Sequence, residues 1–213
     1  MPNISENVSK FLELSKQYGV TFVCVTKTQT IDKVLKAYEG GARHFGENYV
    51  QEGVAKIKQT KLKDATWHMI GHVQSNKAKL VAENFDWVDT VDSLKLLEKL
   101  SRYRGEEPLN VLIEVNIDNE PSKSGVSVDE YISLLEEIKA HSFDNIIVRG
   151  LMVIPSKDNV DAFVRASKLF EVGKSIFETF DTLSMGMSGD YMSAIENGST
   201  MIRIGTSVFG ARH

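Results

Sequence analysis

Cysteine is almost missing from this chain: Cys24 is the only one, so no intramolecular disulfide can form. Long apolar runs are missing as well. None approaches the roughly 18 residues that suggest a membrane span, and the opening MPNISENVSK lacks the apolar core of a secretory leader. These absences lead us to expect a soluble, cytoplasmic protein with no membrane partner. There is no surplus of positive charge either. With 25 Lys and Arg against 29 Asp and Glu, the net charge is -4. No broad basic field results, so no nucleic-acid partner is expected and any anion must be held by a local site. Neither a Walker pattern nor a G-x-G-x-x-G loop follows a strand, and no linker, low-complexity tract or repeat interrupts the chain. What is present, 42% hydrophobic and 25% charged residues over 213 positions, suits one core, and residues 1–213 are read as a single domain.

The apolar pattern alternates between two periods. Ile4, Val8, Phe11 and Leu12 fall at helical spacing and stop at Gly19. TFVCVT (21–26) then reads as a strand, and Thr30 is placed to cap a helix carrying Ile31, Val34, Leu35 and Tyr38. The same strand-then-helix order recurs from RHF (43–45), TWHMIG (66–71), WVDTV (87–91), VLIEVNI (111–117), IIVRGLMVI (146–154), TLSM (182–185) and MIRI (201–204). Ser127 and Glu130 form a capping box ahead of one of these helices, and Phe163, Phe170 and Phe177 share a side of another. Eight strands joined by helices predict an α/β fold, a single (β/α)8 TIM-like barrel with an extra N-terminal helix. An open doubly wound sheet is the alternative, because RHF and TLSM are weak strands.

In such a barrel the functional face lies at the C-terminal ends of the strands. The polar residues placed there are Lys27, Glu47, Asn48, His72, Gln74, Asn116, Ser188, Gly205 and Thr206, with Arg203 inside the last strand. Lys27 stands apart from the other lysines, most of which look solvated, because it follows an apolar strand directly. Partial desolvation and a nearby cation such as Arg203 favour a neutral amine that condenses with an aldehyde. From position alone, a surface lysine lying along the strand end is the commoner case. SMGMSGDY (184–191) and RIGT (203–206) place small residues and hydroxyls just before helices, where backbone N–H groups can cradle a phosphate; the plainer reading is two tight turns. Arg203, between Ile202 and Ile204, points to the opposite side from them and needs a partner, either a ligand or Glu114 or Glu47. His68 reads as a core or pocket-wall histidine rather than half of a zinc pair with His72. Cys24 reads as an inert buried thiol, and Met185, Met187 and Met192 as packing.

Taken together, VTKT (25–28), FGENYVQE (45–52), WHMIGHVQSNK (67–77), VNIDNEPSKSG (116–125), RGLMVIP (149–155), LSMGMSGDY (183–191) and GSTMIRIGTSVFGAR (198–212) resemble the pyridoxal phosphate homeostasis protein family over nearly the whole chain. The resemblance implies a barrel like the N-terminal one of alanine racemase, with pyridoxal 5'-phosphate (PLP) held as an aldimine on Lys27. It also implies that Ser188, Gly205 and Thr206 hold the phosphate, that Arg203 faces the pyridine nitrogen, and that Asn48 and Met187 line the pocket. Arginine at that nitrogen leaves it unprotonated and weakens the ring as an electron sink. The chain departs from the family pattern at Gln29 and His72, where proline is common; Gln29 is expected to loosen the loop after Lys27, and His72 to add a titratable group at the pocket mouth.

The expected function is therefore a monomeric, cytoplasmic PLP-binding protein that buffers the cofactor or delivers it to PLP-dependent apoenzymes, without substantial turnover. The main alternative is a PLP-dependent amino-acid racemase. It needs a second base on the other face of the cofactor, and a chain ending at His213 leaves no room for the domain that supplies one in the racemases. A sugar-phosphate enzyme using Lys27 as an aldolase-like Schiff base is the third possibility.

Overall fold

The protein's structure is a computed structural model that describes residues 3–156 and 159–210; the end of the GSTMIRIGTSVFGAR motif, Ala211 and Arg212, lies outside them. Helix α1 (Ile4–Tyr18) starts where the Asn3 side chain accepts from the Glu6 amide and stops at Gly19, whose φ of 67° is left-handed. Then follow β1 (Thr21–Val25), α2 (Ile31–Glu39), β2 (His44–Glu47), α3 (Val50–Thr60), β3 (Thr66–Met69), a 3-10 turn (Ser75–Lys77) and α4 (Ala78–Asn84). The second half comprises β4 (Trp87–Val91), α5 (Leu94–Tyr103), β5 (Leu109–Asn116), β6 (Val126–Ser127), α6 (Val128–His141) and β7 (Ile146–Val153). It ends with α7 (Val160–Ile176), β8 (Thr182–Ser184), α8 (Tyr191–Glu196), β9 (Met201–Ile204) and α9 (Thr206–Phe209).

All strand pairs are parallel, and the sheet closes through β4–β5 at one side and β1–β9 at the other. Among the described residues the ring has eight strands, as the pattern predicts, and RHF and TLSM do supply strands in it. The ninth strand, β6, is a two-residue spur on β5 that periodicity cannot reveal. Thr30 occupies the N-cap position of α2 but its side chain makes no capping bond, whereas the Ser127/Glu130 capping box of α6 forms in full.

Strand alternation divides the core in two. Phe22, Cys24, Phe45, Trp67, Met69, Val88, Ile113, Ile202 and Ile204 belong to the large cluster between strands and helices. Val23, Trp87, Leu112, Met152 and Met201 form a separate plug inside the barrel. Buried Asp89, Glu114 and Arg203 each lie two residues after a plug residue on the same strand, and buried His68 and Ser184 lie opposite Trp87 and Met152 on neighbouring strands. The barrel interior thus changes from apolar to polar along its axis, which is why its strands are not uniformly hydrophobic.

Candidate functional site

The cavity at the C-terminal ends of the strands has a volume of about 290 Å³. Lys27, Asn48, Met187, Ser188, Arg203, Gly205 and Thr206, the seven residues expected at one site, all line it. Only closure of the ring brings Lys27 beside residues 187–206, since β1 and β9 pair side by side with Cys24 opposite Ile204. Apolar walls come from Val25, Ile70 and Ile154, which gives a mostly apolar cleft with a few convergent polar groups.

Lys27 sits in a tight turn whose Gln29 amide donates to the Thr26 carbonyl over 3.0 Å. On the other side, the loop after β8 folds back on itself: the Met187 amide donates to Asp190 Oδ1 (2.6 Å) and the Ser207 amide to Ser188 Oγ (3.2 Å). Two glycines here are explained by neither packing nor backbone. A methyl group at Gly189 would meet nothing within 4 Å, one at Gly205 only ordinary contacts with Val25 at 3.4 Å or more, and neither residue has a positive φ. A ligand that approaches the backbone closely supplies the missing reason, so these residues fit a phosphate.

Arg203 is 4% exposed. Its guanidinium donates to Ser184 Oγ (2.6 Å) and to the Val153 carbonyl (3.0 Å). Among the described residues it forms no ion pair within 4.0 Å, so the structural pairing with Glu114 or Glu47 is not what holds it. Glu114 is near enough to feel its charge; burial first, and Asp92 second, push the Glu114 carboxyl up to about 7 against the pull of Arg203. Asn48 is held from behind by Gly71, because a methyl group there would lie 2.1 Å from the Asn48 carbonyl oxygen. Sequence reasoning missed Gly71, although a glycine closing the TWHMIG segment (66–71) was a usable signal of close backbone approach.

Several residues expected at the face serve elsewhere. His72 is exposed, sits 3.8 Å from Asp92 and does not line the cavity. The Asn116 side chain closes its own loop onto Glu120 and Lys123. Glu47 turns outward, toward α3, and meets Lys56 at 2.8 Å; Lys56 is thus a buried lysine, one that the pattern does not single out from the mostly solvated rest. Gln29 accepts from Lys33 at 3.0 Å, one turn into α2. His68 is a core residue: it stacks on Trp87 and links His44 (3.0 Å) to Asp89 (3.2 Å). Cys24 is fully buried, and burial raises its thiol far above the ordinary range. Among the described residues no three His, Cys, Asp or Glu side chains gather as metal ligands, and no helix is long and apolar enough to cross a membrane.

A family model described as the N-terminal domain of alanine racemase matches residues 1–213. The pyridoxal phosphate homeostasis protein of Haemophilus influenzae is 45% identical over 212 residues, covering 94% of this chain and 89% of that protein. The structure of PipY from Synechococcus elongatus with PLP bound matches with a TM-score of 0.88 at 33% identity, covering 97% of this chain and 100% of PipY. Alanine racemase from Streptomyces lavendulae, at 13% identity and a TM-score of 0.80, shares the fold over 99% of this chain and 57% of its own. A family model spanning the whole sequence and a relative this similar settle the family: the chain belongs to the alanine racemase N-terminal domain family, among the pyridoxal phosphate homeostasis proteins.

Proposed function

We propose that this protein binds PLP at the cavity beside Lys27 and serves its homeostasis, buffering the cofactor or delivering it to PLP-dependent apoenzymes. The observation that carries the reading is the convergence of an amine, a buried guanidinium and two sterically unexplained glycines on one cavity. PipY, a relative at 33% identity, has been solved with PLP bound, which supports the same ligand here. When bound, PLP supplies an aldehyde that an amine can capture and a pyridine ring that can accept electrons.

Lys27 holds the aldehyde end as a Schiff base in this reading. Ser188 and the backbone at Gly205 and Thr206 hold the phosphate, Asn48 and Met187 flank the ring, and Arg203 faces its nitrogen. A guanidinium donates and cannot accept, so it keeps that nitrogen unprotonated and disfavours carbanion chemistry. Among the described residues lining the cavity, Lys27 and Arg203 are the two with ionisable side chains, so a two-base racemase finds little support. We place the protein in the cytoplasm as a monomer, with residues 1–213 acting as one domain. Titrating the purified protein with PLP and following visible absorbance tests the binding; chiral analysis of amino acids incubated with the loaded protein tests turnover. Robust racemisation contradicts the reading.

A further inference from the structure

Lys27 is carried on a turn that its own sequence disfavours. In the Thr26–Gln29 turn the third residue, Thr28, has a φ of 62°, a left-handed conformation suited to glycine and strained for a β-branched residue. Something outside the turn must hold it. The Thr28 amide donates to Glu52 Oε1 over 2.6 Å, and the same oxygen accepts from Lys56 Nζ at 2.6 Å. Lys56 also donates to the Thr26 carbonyl (2.6 Å) and to Glu47 Oε1 (2.8 Å), which accepts from the Thr26 hydroxyl as well. The residues before and after Lys27 are thus tied to one ammonium whose side chain is 5% exposed.

We propose that Glu52 and Lys56 are positioning residues: they hold the strained Thr28 turn so that Lys27 faces the cavity, and they thereby set how fast the cofactor leaves. The link to release rests on the PLP reading above. Capture of the aldehyde by Lys27 forms a C=N bond and expels one water; release consumes one water from solvent, with no redox change. A turn that relaxes out of the left-handed region displaces the Lys27 backbone and loosens the bound geometry on which retention depends. Glu52, with its side chain 27% exposed, can be replaced without leaving a large buried hole.

Two readouts separate the clamp from the ligand. The first is hydrogen exchange at the amides of residues 28 and 29 in the ligand-free protein. The second is the rate at which PLP-loaded protein loses its visible band in excess phosphatase, which destroys free cofactor. Glu52→Ala should speed both, release by about tenfold, while Glu52→Gln, whose amide oxygen still accepts from Thr28, should stay within about threefold of wild type. Adding Thr28→Gly to Glu52→Ala removes the strain and should restore release to within about threefold of wild type, a rescue that loss of general stability would not give. Unchanged exchange in Glu52→Ala overturns the clamp. Faster exchange with unchanged release, or a double variant as fast as Glu52→Ala alone, overturns the link to retention. A wild-type protein that shows no visible band with PLP overturns the functional reading and the release link with it, while the exchange experiment still decides the clamp.

Discussion

The Ser207 amide donates to Ser188 Oγ over 3.2 Å and fastens the loop after β8 to the first turn of α9. Because Ser188 accepts this bond through oxygen, its hydroxyl hydrogen remains to be donated into the cavity. Ser188→Ala should therefore weaken PLP binding by about tenfold, and should leave the affinity for pyridoxal, which has no phosphate, nearly unchanged. Parallel titrations with the two ligands check this. Equal losses for both would mean that Ser188 shapes the loop and does not bind phosphate.

Glu114 gives stability a pH dependence of definite sign. Its carboxyl rises from 4.5 to about 7 on folding, chiefly through burial, so the folded state holds a proton that the unfolded chain has released. Stability is lost on this account as pH rises from 4.5 through about 7. Glu114→Gln should gain on wild type over that range by up to about 3 kcal/mol, at about 1.4 kcal/mol per pH unit, and show no gain at lower pH. His44 acts in the opposite sense. Burial, and then the neighbouring His68, lower it from 6.5 to about 4, so its contribution is present above 6.5 and lost as pH falls through about 4. Urea unfolding of both variants across this range separates the two, since the Glu114→Gln gain should grow with pH while the deficit of His44→Gln should shrink on acidification.

Gly71 couples packing to the site. An alanine there would drive its methyl group against the Asn48 backbone, which cannot move aside as a flexible side chain can. Gly71→Ala should lower stability by about 1–3 kcal/mol and weaken PLP binding together, because the strain falls on a cavity wall. Unfolding and titration of the same preparation measure both; a stability loss with unaltered affinity would place Asn48 outside the binding geometry.

The barrel was legible because its outward strand faces, such as Phe22, Cys24, Ile202 and Ile204, pack against amphipathic helices and keep a clear period. β2 read weakly for the converse reason: half-buried His44 and buried Glu47 are polar residues satisfied by particular partners, His68 and Lys56, that periodicity does not register. The seven cavity residues were found through the family resemblance and the barrel's functional face together, and position alone left Lys27 an ordinary surface lysine. Lys56 went unread because a lysine on a polar-looking helix resembles a solvated one. Its signal was faint but present: Glu52 lies four residues before it, and Gly53, three before it, opens the same helix face toward the sheet. His72 misled because the chain length from β3 suggested the mouth, whereas its ring turns out toward Asp92.

Of the proposals made for the cavity, the one on which the others depend is that Lys27 captures the cofactor. Incubation of the protein with PLP, reduction with borohydride and peptide mass spectrometry test it most directly, since reduction fixes the imine as a stable amine on whichever lysine formed it. One pyridoxyl-modified peptide is expected, carrying the label on Lys27, with no visible band or label in a folded Lys27→Ala variant. A label on another lysine, or a band that survives in Lys27→Ala, would contradict it.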